Sequence, residues 1–458
     1  MQSHRPSLLI SSLRAIALVS AFTLATICAA NAEALLLVEA DTGKVLQAEN
    51  ATYPWYPASV TKLMTAYVTL KAVKEGRITL DTLVVVSPTA ASQSPSKMGF
   101  RPGTQVTVDN ALKMMLVKSA NDMAVVLAEG VGGSIDGFSG LMNQNAQRLG
   151  MTQTSYVNPN GLPADGQITS ARDLAILARA IIRDLPEYEY FVHIPSIRYG
   201  RRITQNFNKL IGRYPGADGF KTGFICAAGY NLVASATRNG KRLIAVVLGA
   251  SSGQARAVKA VQMLDRGFSS DTLSWLRPSL GTVDSLAPID ASPPNLRDEM
   301  CSGKRHRPAS DEDEDSSASN GSSGTALAFF PTGVPALKPS ELLAAAPAAS
   351  EPIPVYTGPT RTGPDLIAAV AADAAADEAA AAARRHGKKS RVAAKRPPEA
   401  GAEDAGAKSA SGKQAKHANA KPDAKTADKP AAADKSAKPK AAAKPAKPAP
   451  KNADSKSG

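Results

Sequence analysis

The pattern of apolar and polar positions predicts strands at both ends of one domain, with helices between them. Four apolar runs of strand length are bounded by turn residues: 35–38, 45–47, 230–237 and 242–248. Asn239-Gly240, between the last two runs, is the strongest short-range signal for a hairpin. We therefore expect one sheet assembled from the two ends of the domain.

Helical periodicity indicates six helices in the following stretches: 59–76, 109–117, from about 122, 136–149, 170–183 and 254–268. Asp109 is the expected N-cap of the second helix, and Ser170 with Asp173 forms a capping box before the fifth. Residues 77–108 predict short strands around a surface loop at 94–103, which is rich in Gly, Pro and Ser. These elements predict an α+β fold, an antiparallel sheet with an inserted helical lobe.

Composition limits the folded part of the 458-residue chain to residues 33–270, which form the expected catalytic domain. Residues 271–301 are a connecting segment. From 302 to 458 the chain is acidic and then rich in Ala, Lys and Pro, so we expect a disordered tail that cannot bury enough apolar surface to fold. An Ala-rich stretch at 365–386 predicts transient helix. The last 72 residues hold 18 Lys and Arg against 7 Asp and Glu, hence 11 of the 14 net positive charges.

The N-terminus predicts an export signal over residues 1–32. Arg5 and Arg14 are followed by an apolar run at 15–27, and Ala30-Asn31-Ala32 offers a cleavage site. Thirteen apolar residues are short for a membrane span, although an uncleaved anchor is the alternative. We expect a protein secreted through the inner membrane, periplasmic or associated with the cell wall.

Cys226 and Cys301 remain after removal of the signal. In an oxidising compartment they could form one disulfide, and the alternative is two unpaired thiols. The five histidines show no metal-ligand spacing, so we expect neither a metal site nor a cofactor.

Ser59 and Lys62 are the first candidates for catalysis. A serine three residues before a lysine places both side chains on one face of a helix. The serine hydroxyl is a weak nucleophile at neutral pH, and a lysine with a lowered pKa can accept its proton. Alone, the pattern also fits a capping serine followed by a solvated lysine.

Two further motifs follow in chain order, Ser119-Ala120-Asn121 and Lys221-Thr222-Gly223. With Ser59-x-x-Lys62 they match the three-part set of β-lactamases and penicillin-binding proteins. We expect Ser119 to relay a proton from Lys62 to the leaving amine. Asn121 would bind the substrate backbone and help to hold Lys62.

The Lys221-Thr222-Gly223 motif predicts the substrate-binding strand. Lys221 and Thr222 suit a substrate carboxylate, and Gly223 would leave room for the substrate beside the strand. The backbone N–H groups of Ser59 and Phe224 are the expected oxyanion hole.

Residues 33–270 resemble the serine-type D-alanyl-D-alanine carboxypeptidases, which are low-molecular-mass penicillin-binding proteins. Beyond the three motifs, the resemblance rests on Asn158-Pro159-Asn160-Gly161-Leu162, Thr169-Ser170-Ala171-Arg172-Asp173 and Ala228-Gly229-Tyr230-Asn231-Leu232. It implies a penicillin-recognising α+β fold with the active site between the sheet and a helical lobe. It also implies that Ser59 attacks the penultimate D-Ala carbonyl of the peptidoglycan stem pentapeptide, that water hydrolyses the acyl-enzyme, and that β-lactams inhibit covalently.

The resemblance further assigns Arg242 to the substrate carboxylate, the alternative being a solvated charge beside Lys241. Many members of the family carry a second, all-β domain and an amphipathic anchor helix, where this chain has its tail. Phe224-Ile225-Cys226 is apolar where some relatives are polar.

Three other functions remain open at this point: an endopeptidase that cuts cross-links, a secreted β-lactamase, and a wall-binding protein without catalysis. Class A β-lactamases need a glutamate for deacylation, and residues 150–190 contain no Glu-x-x-Leu-Asn pattern. The basic tail predicts attraction to an anionic wall or membrane surface, the alternative being a solvated spacer without a partner. Export argues against nucleic acid as its partner.

Overall fold

A computed structural model describes residues 33–269, 278–302 and 338–393, so the predicted signal and most of the tail lie outside the described residues. In chain order its elements are β1 Ala34–Glu39, β2 Val45–Glu49, α1 Lys62–Lys74, β3 Leu83–Val85, α2 Pro88–Ser92, β4 Gln105–Thr107, α3 Val108–Val117, α4 Asn121–Gly132, α5 Ile135–Arg148, α6 Ala171–Asp184, α7 Tyr190–His193, β5 Ser196–Tyr199, β6 Arg202–Gln205, β7 Ala217–Ile225, β8 Gly229–Arg238, β9 Lys241–Ala250, α8 Gly253–Phe268, α9 Arg297–Cys301, α10 Pro339–Ala344, β10 Ile353–Val355 and α11 Gly363–Ala393.

The main sheet joins the two ends of the domain. Its strand order is β2-β1-β9-β8-β7, and every pair is antiparallel. β1 pairs with β9, with Leu36 opposite Val246, so strands from both ends meet at its centre. The predicted α+β plan with helices inserted between the terminal strands is confirmed.

Both faces of this sheet are buried. Successive side chains of a strand point to opposite faces, so Leu35 and Leu37 lie in one core cluster while Leu36 and Val38 lie in another. The first cluster includes Val261 of α8, and the second extends into the helical lobe. The sheet therefore separates α8 from the helical lobe.

The predicted hairpin at Asn239-Gly240 is confirmed. Both residues have positive φ, 50° and 76°, as a two-residue type I′ turn requires, and they join β8 to β9. The hairpin places β8 on one side of β9, and β1 lies on the other side. β7 pairs with the far side of β8 and so forms an edge of the sheet.

The predicted N-cap at Asp109 is wrong. The Thr107 hydroxyl accepts a hydrogen bond from the Asn110 N–H, so α3 begins at Val108 and Asp109 lies in its first turn. Thr107 is also the last residue of β4, so strand and helix follow without a loop. At α6 the N-cap half of the predicted capping box is confirmed, because Ser170 Oγ accepts from the Asp173 N–H. The Asp173 carboxylate accepts instead from the Gln153 N–H and the Thr154 hydroxyl.

Cys226 and Cys301 form a disulfide, which decides between the two alternatives left by the sequence. The connecting segment is anchored at both ends: the Val45 N–H donates to Gly281 O, and the Leu296 N–H donates to Ala227 O. A cross-link between residues 75 apart stabilises a fold by about 4 kcal/mol in the chain-entropy account.

Residues 338–393 depart from the expected disorder. Leu343 of α10 is buried beside α8, and β10 pairs in parallel with β5. Addition of a strand to a sheet uses backbone hydrogen bonds and only a few apolar side chains. A segment poor in apolar residues can therefore be ordered in this way, and its composition does not predict the order. None of the helices in the described ranges is long and apolar enough for a membrane span.

Candidate active site

Ser59 lies in a 3-10 turn, Ala58–Thr61, immediately before α1. Ala58 has a φ of 49°, in the left-handed region that side chains other than glycine seldom adopt. It is fully buried, so the surrounding packing holds this backbone conformation. Ser59 is thus presented by a constrained turn, whereas the sequence placed it on the helix itself.

Lys62 is buried and lies close to polar atoms of three separate segments. Its Nζ lies 2.9 Å from Ser59 Oγ, 2.7 Å from Asn121 Oδ1 and 2.7 Å from Asn160 O, and its side chain is fully buried. A neutral lysine amine has two N–H donors and one lone pair. If Asn121 and Asn160 accept the two donors, the lone pair faces the Ser59 hydroxyl.

Asn121 and Ser119 lie at the junction between α3 and α4. Asn121 Nδ2 donates to Ser94 O at 2.9 Å, and its backbone N–H donates to Ser96 O at 2.7 Å. Ser119 is buried and has a φ of 60°, which turns the chain between the helices. The predicted junction and the contact between Asn121 and Lys62 are confirmed.

Asp122 holds the loop at 94–103 against α4. Its carboxylate accepts hydrogen bonds from the backbone N–H groups of Met98 and Gly99, at 3.0 and 2.9 Å. Burial raises the pKa of Asp122, and the hydrogen bonds from Gly99, Met98 and its own neighbour Met123 act in the opposite direction. The loop is therefore tied to the residue that follows Asn121.

Asn160 is a contact of Lys62 that the sequence reasoning missed. It belongs to the Asn158-Pro159-Asn160-Gly161-Leu162 stretch, which was noted only for its resemblance. Its side chain donates to Gln93 Oε1 at 2.8 Å. Gly161 has a φ of 81°, and a Cβ there would collide with the carbonyl of Ala58. The close approach places the Asn160 carbonyl at Lys62.

The strand motif lies directly against the turn that carries Ser59. Lys221 and Thr222 are buried, and Lys221 Nζ lies 3.2 Å from Thr222 O. A Cβ on Gly223 would lie 2.7 Å from Ser59 N and 3.0 Å from Val60 N. Gly223 is thus needed for contact between β7 and the Ser59 turn, in addition to the room for substrate expected from the sequence.

Asn231 and Arg256 also support this region, and neither was a predicted site residue. Asn231 Nδ2 donates to the carbonyls of Tyr56 and Pro57, just before the Ser59 turn. Arg256 is buried, with Nη1 3.4 Å from both Gly223 O and Asn231 O. The first lies in a stretch noted for its resemblance, whereas no local signal distinguishes Arg256.

Phe224 follows Gly223 in β7, as its predicted backbone role requires, and its ring lies against that of Tyr230, with the centroids 4.2 Å apart and the planes tilted by 31°. Arg242 is not brought to the cluster. In the sheet register Lys221 lies opposite Val233 and Val233 opposite Val246, four residues from Arg242 and hence about 13 Å along the strand.

Arg242 instead forms ion pairs with Glu189 and Asp218. Burial acts to raise the pKa of Glu189, but the hydrogen bond from His193 and the charge of Arg242 hold it below its ordinary value. The guanidinium thus has two carboxylate partners of its own, at the other end of the strands.

The contacts of Lys62 with Ser59 and Asn121, together with a Lys-Thr-Gly strand packed against the Ser59 turn, form the three-part set of the penicillin-recognising class of serine proteins. The family model described as D-alanyl-D-alanine carboxypeptidase matches residues 21–252, and the chain belongs to this family.

Similar proteins support this membership. The D-alanyl-D-alanine carboxypeptidase DacC of Escherichia coli is 40% identical over 257 residues, 54% of this chain and 64% of DacC. DacF of Bacillus subtilis is 39% identical over 52% of this chain and 62% of DacF. The chain thus covers less than two thirds of the length of these relatives. Penicillin binding protein 5 of Haemophilus influenzae, a solved structure, is 37% identical with a TM-score of 0.51, covering 52% of this chain and 71% of that one.

Gly223→Ala should lower the rate of acylation by a penicillin about 100-fold, because the added Cβ would displace the Ser59 backbone by a fraction of an ångström or more. The rate is measured by stopped-flow mixing. Gly140→Ala is the matched control, since beyond the local backbone of its own helix no atom lies within 4 Å of the added Cβ. Equal rates in both variants would contradict the close contact between β7 and Ser59.

Proposed function

We propose that the protein removes the terminal D-Ala from peptidoglycan stem pentapeptides through an acyl-enzyme on Ser59. One observation carries the proposal: Lys62 Nζ lies 2.9 Å from Ser59 Oγ while Asn121 and Asn160 offer acceptors to its N–H groups. Membership of the D-alanyl-D-alanine carboxypeptidase family supports this choice of substrate.

In the first step Lys62 accepts the Ser59 proton, and Oγ bonds to the carbonyl carbon of the penultimate D-Ala. The backbone N–H groups of Ser59 and Phe224 stabilise the oxyanion. The C–N bond then breaks, and the amine of the terminal D-Ala leaves with a proton that reaches it from Lys62 through Ser119.

In the second step water adds to the acyl carbon, and Lys62 again takes a proton. The C–O bond to Ser59 breaks, and Ser59 recovers its hydrogen from Lys62. The shortened peptide leaves as a carboxylic acid that loses its proton to solvent. Lys221 and Thr222 bind the carboxylate of the terminal D-Ala during the first step, and Asn121 binds the substrate backbone.

A β-lactam would follow only the first step readily. Attack by Ser59 opens the lactam ring, but the leaving nitrogen remains attached to the acyl group and stays in the site. Residues 150–190 lack the Glu-x-x-Leu-Asn pattern that class A β-lactamases use for hydrolysis. We therefore propose that penicillin inhibits the enzyme and is released slowly.

We further propose that residues 1–32 direct export, so that the enzyme acts outside the inner membrane, and that the basic tail binds anionic wall polymers or lipid headgroups. Opposite charge supports the second proposal, with 18 Lys and Arg among the last 72 residues. The tail would raise the local concentration of enzyme at its polymeric substrate.

Intact mass spectrometry after exposure to a penicillin should show one penicilloyl adduct on the wild type and none on Ser59→Ala. The wild type should also release D-Ala from a pentapeptide ending in D-Ala-D-Ala, because the same acyl-enzyme serves both reactions. An adduct on Ser59→Ala would exclude Ser59 as the nucleophile. Cleavage of cross-linked dimers without release of terminal D-Ala would identify an endopeptidase.

Deleting residues 387–458 should abolish co-sedimentation with purified peptidoglycan sacculi or with anionic lipid vesicles at low salt. Binding by the full chain should weaken as salt rises from about 50 mM to 500 mM, because exposed charges are then screened. Comparing sacculi with vesicles identifies the surface that is bound. Equal sedimentation of the full and shortened chains would contradict a role for the tail.

A further inference from the structure

Residues 338–379, which we call the C-terminal strap, are anchored to the catalytic domain at several points. Leu343 of α10 is buried in the core cluster that includes α8. Arg213 Nε donates to Ala345 O at 2.9 Å, and the Ala348 N–H donates to Gly212 O at 2.7 Å. These contacts fix the start of the strap on the sheet side of the domain.

The middle of the strap adds a strand to the β5–β6 hairpin. β10 runs parallel to β5, with Val355 opposite Tyr199, and Val355 is fully buried. The Gly358 N–H then donates to Gln105 O of β4 at 2.7 Å. The strap thus joins β5 to the strand that follows the loop at 94–103.

Tyr199 connects the strap to that loop. Its ring meets Phe100 edge to face, with centroids 5.2 Å apart and an interplanar angle of 66°. This is a favourable geometry for two aromatic rings. Phe100 is half-buried, and the residues on either side of it, Gly99 and Arg101, are exposed.

The loop in turn contacts the groups around Lys62. Met98 and Gly99 donate to Asp122, while Ser94 and Ser96 accept from Asn121, whose Oδ1 lies 2.7 Å from Lys62 Nζ. A continuous series of contacts therefore runs from Val355 through Tyr199 and Phe100 to Asn121.

We propose that the strap positions the active site: by holding Tyr199 against Phe100 it fixes the 94–103 loop, and through it Asn121 and Lys62, in the geometry for acylation. Tyr199 and Phe100 act through Asn121 and Lys62 and are therefore positioning residues. The inference rests on the proposed function, since it concerns the rate at which Ser59 is acylated.

The test uses the full chain with Val355→Asp, which places a charge in the buried interface, and Phe100→Ala, which removes the ring contact. Each should lower the second-order rate of penicillin acylation about 5- to 10-fold, which lies within the range of coupling through packed contacts. Phe100→Tyr keeps the ring and should retain the wild-type rate. Ile367→Asp is the control for a charge on the strap, because Ile367 is 73% exposed.

The double variant distinguishes positioning from general destabilisation. If the strap acts through Phe100, Val355→Asp with Phe100→Ala should be acylated no more slowly than the slower single variant. Losses that multiply would overturn the proposal. If thermal melting shows that Val355→Asp is unfolded, Val355→Ala replaces it. This milder change should give a smaller loss of acylation rate.

Amide hydrogen exchange gives a second readout. The Met98 and Gly99 amides, which bond to Asp122, should exchange faster in Val355→Asp than in Ile367→Asp. Unchanged exchange and acylation in the folded strap variants would refute the inference and leave the proposed function intact. Absence of acylation in the wild type would instead refute the proposed function.

Discussion

The burial of Lys62 is the constraint on which the rest of the site depends. An amine with no exposure to water is costly unless its polar atoms have partners, and those around Lys62 come from three separate segments. Ser59 comes from the turn before α1, Asn121 from the start of α4, and Asn160 from the loop before α6. Satisfying one side chain therefore fixes the relative positions of the turn, the helical lobe and the loop.

Further contacts hold the Ser59 turn from both sides. Gly161 packs against the carbonyl of Ala58 from the loop before α6, and Gly223 packs against the amide of Ser59 from the sheet. Asn231 bonds to the carbonyls just before the turn. The backbone around the serine is thus set before substrate arrives, as preorganised stabilisation of an oxyanion requires. β7 makes this contact as part of a five-stranded sheet that joins strands from both ends of the domain.

Local patterns predicted the parts of the molecule whose cause is local. The hairpin between β8 and β9 was predictable because few residue pairs other than Asn-Gly form that turn. The contact between Ser59 and Lys62 was predictable because residues three apart lie one helical turn from each other. Asn160 was missed because it acts through a carbonyl that every residue has, and Arg256 because its partners come from distant strands. Asp109 and Thr107 are both favourable N-cap residues. The helix begins directly after β4, which ends at Thr107, so Thr107 is the cap. Docking of the C-terminal strap depends on an exposed strand edge, which composition cannot show.

The central claim, that Lys62 accepts the Ser59 proton, is tested most directly by the pH dependence of penicillin acylation in the wild type and in Asn121→Asp. The wild-type rate should rise with pH as Lys62 loses its proton and then level off. A carboxylate at position 121, 2.7 Å from Lys62 Nζ in the present geometry, favours the charged amine, so the rising limb should move to higher pH. A limb at the same pH in both proteins would contradict the account, because the titrating group would then not be Lys62.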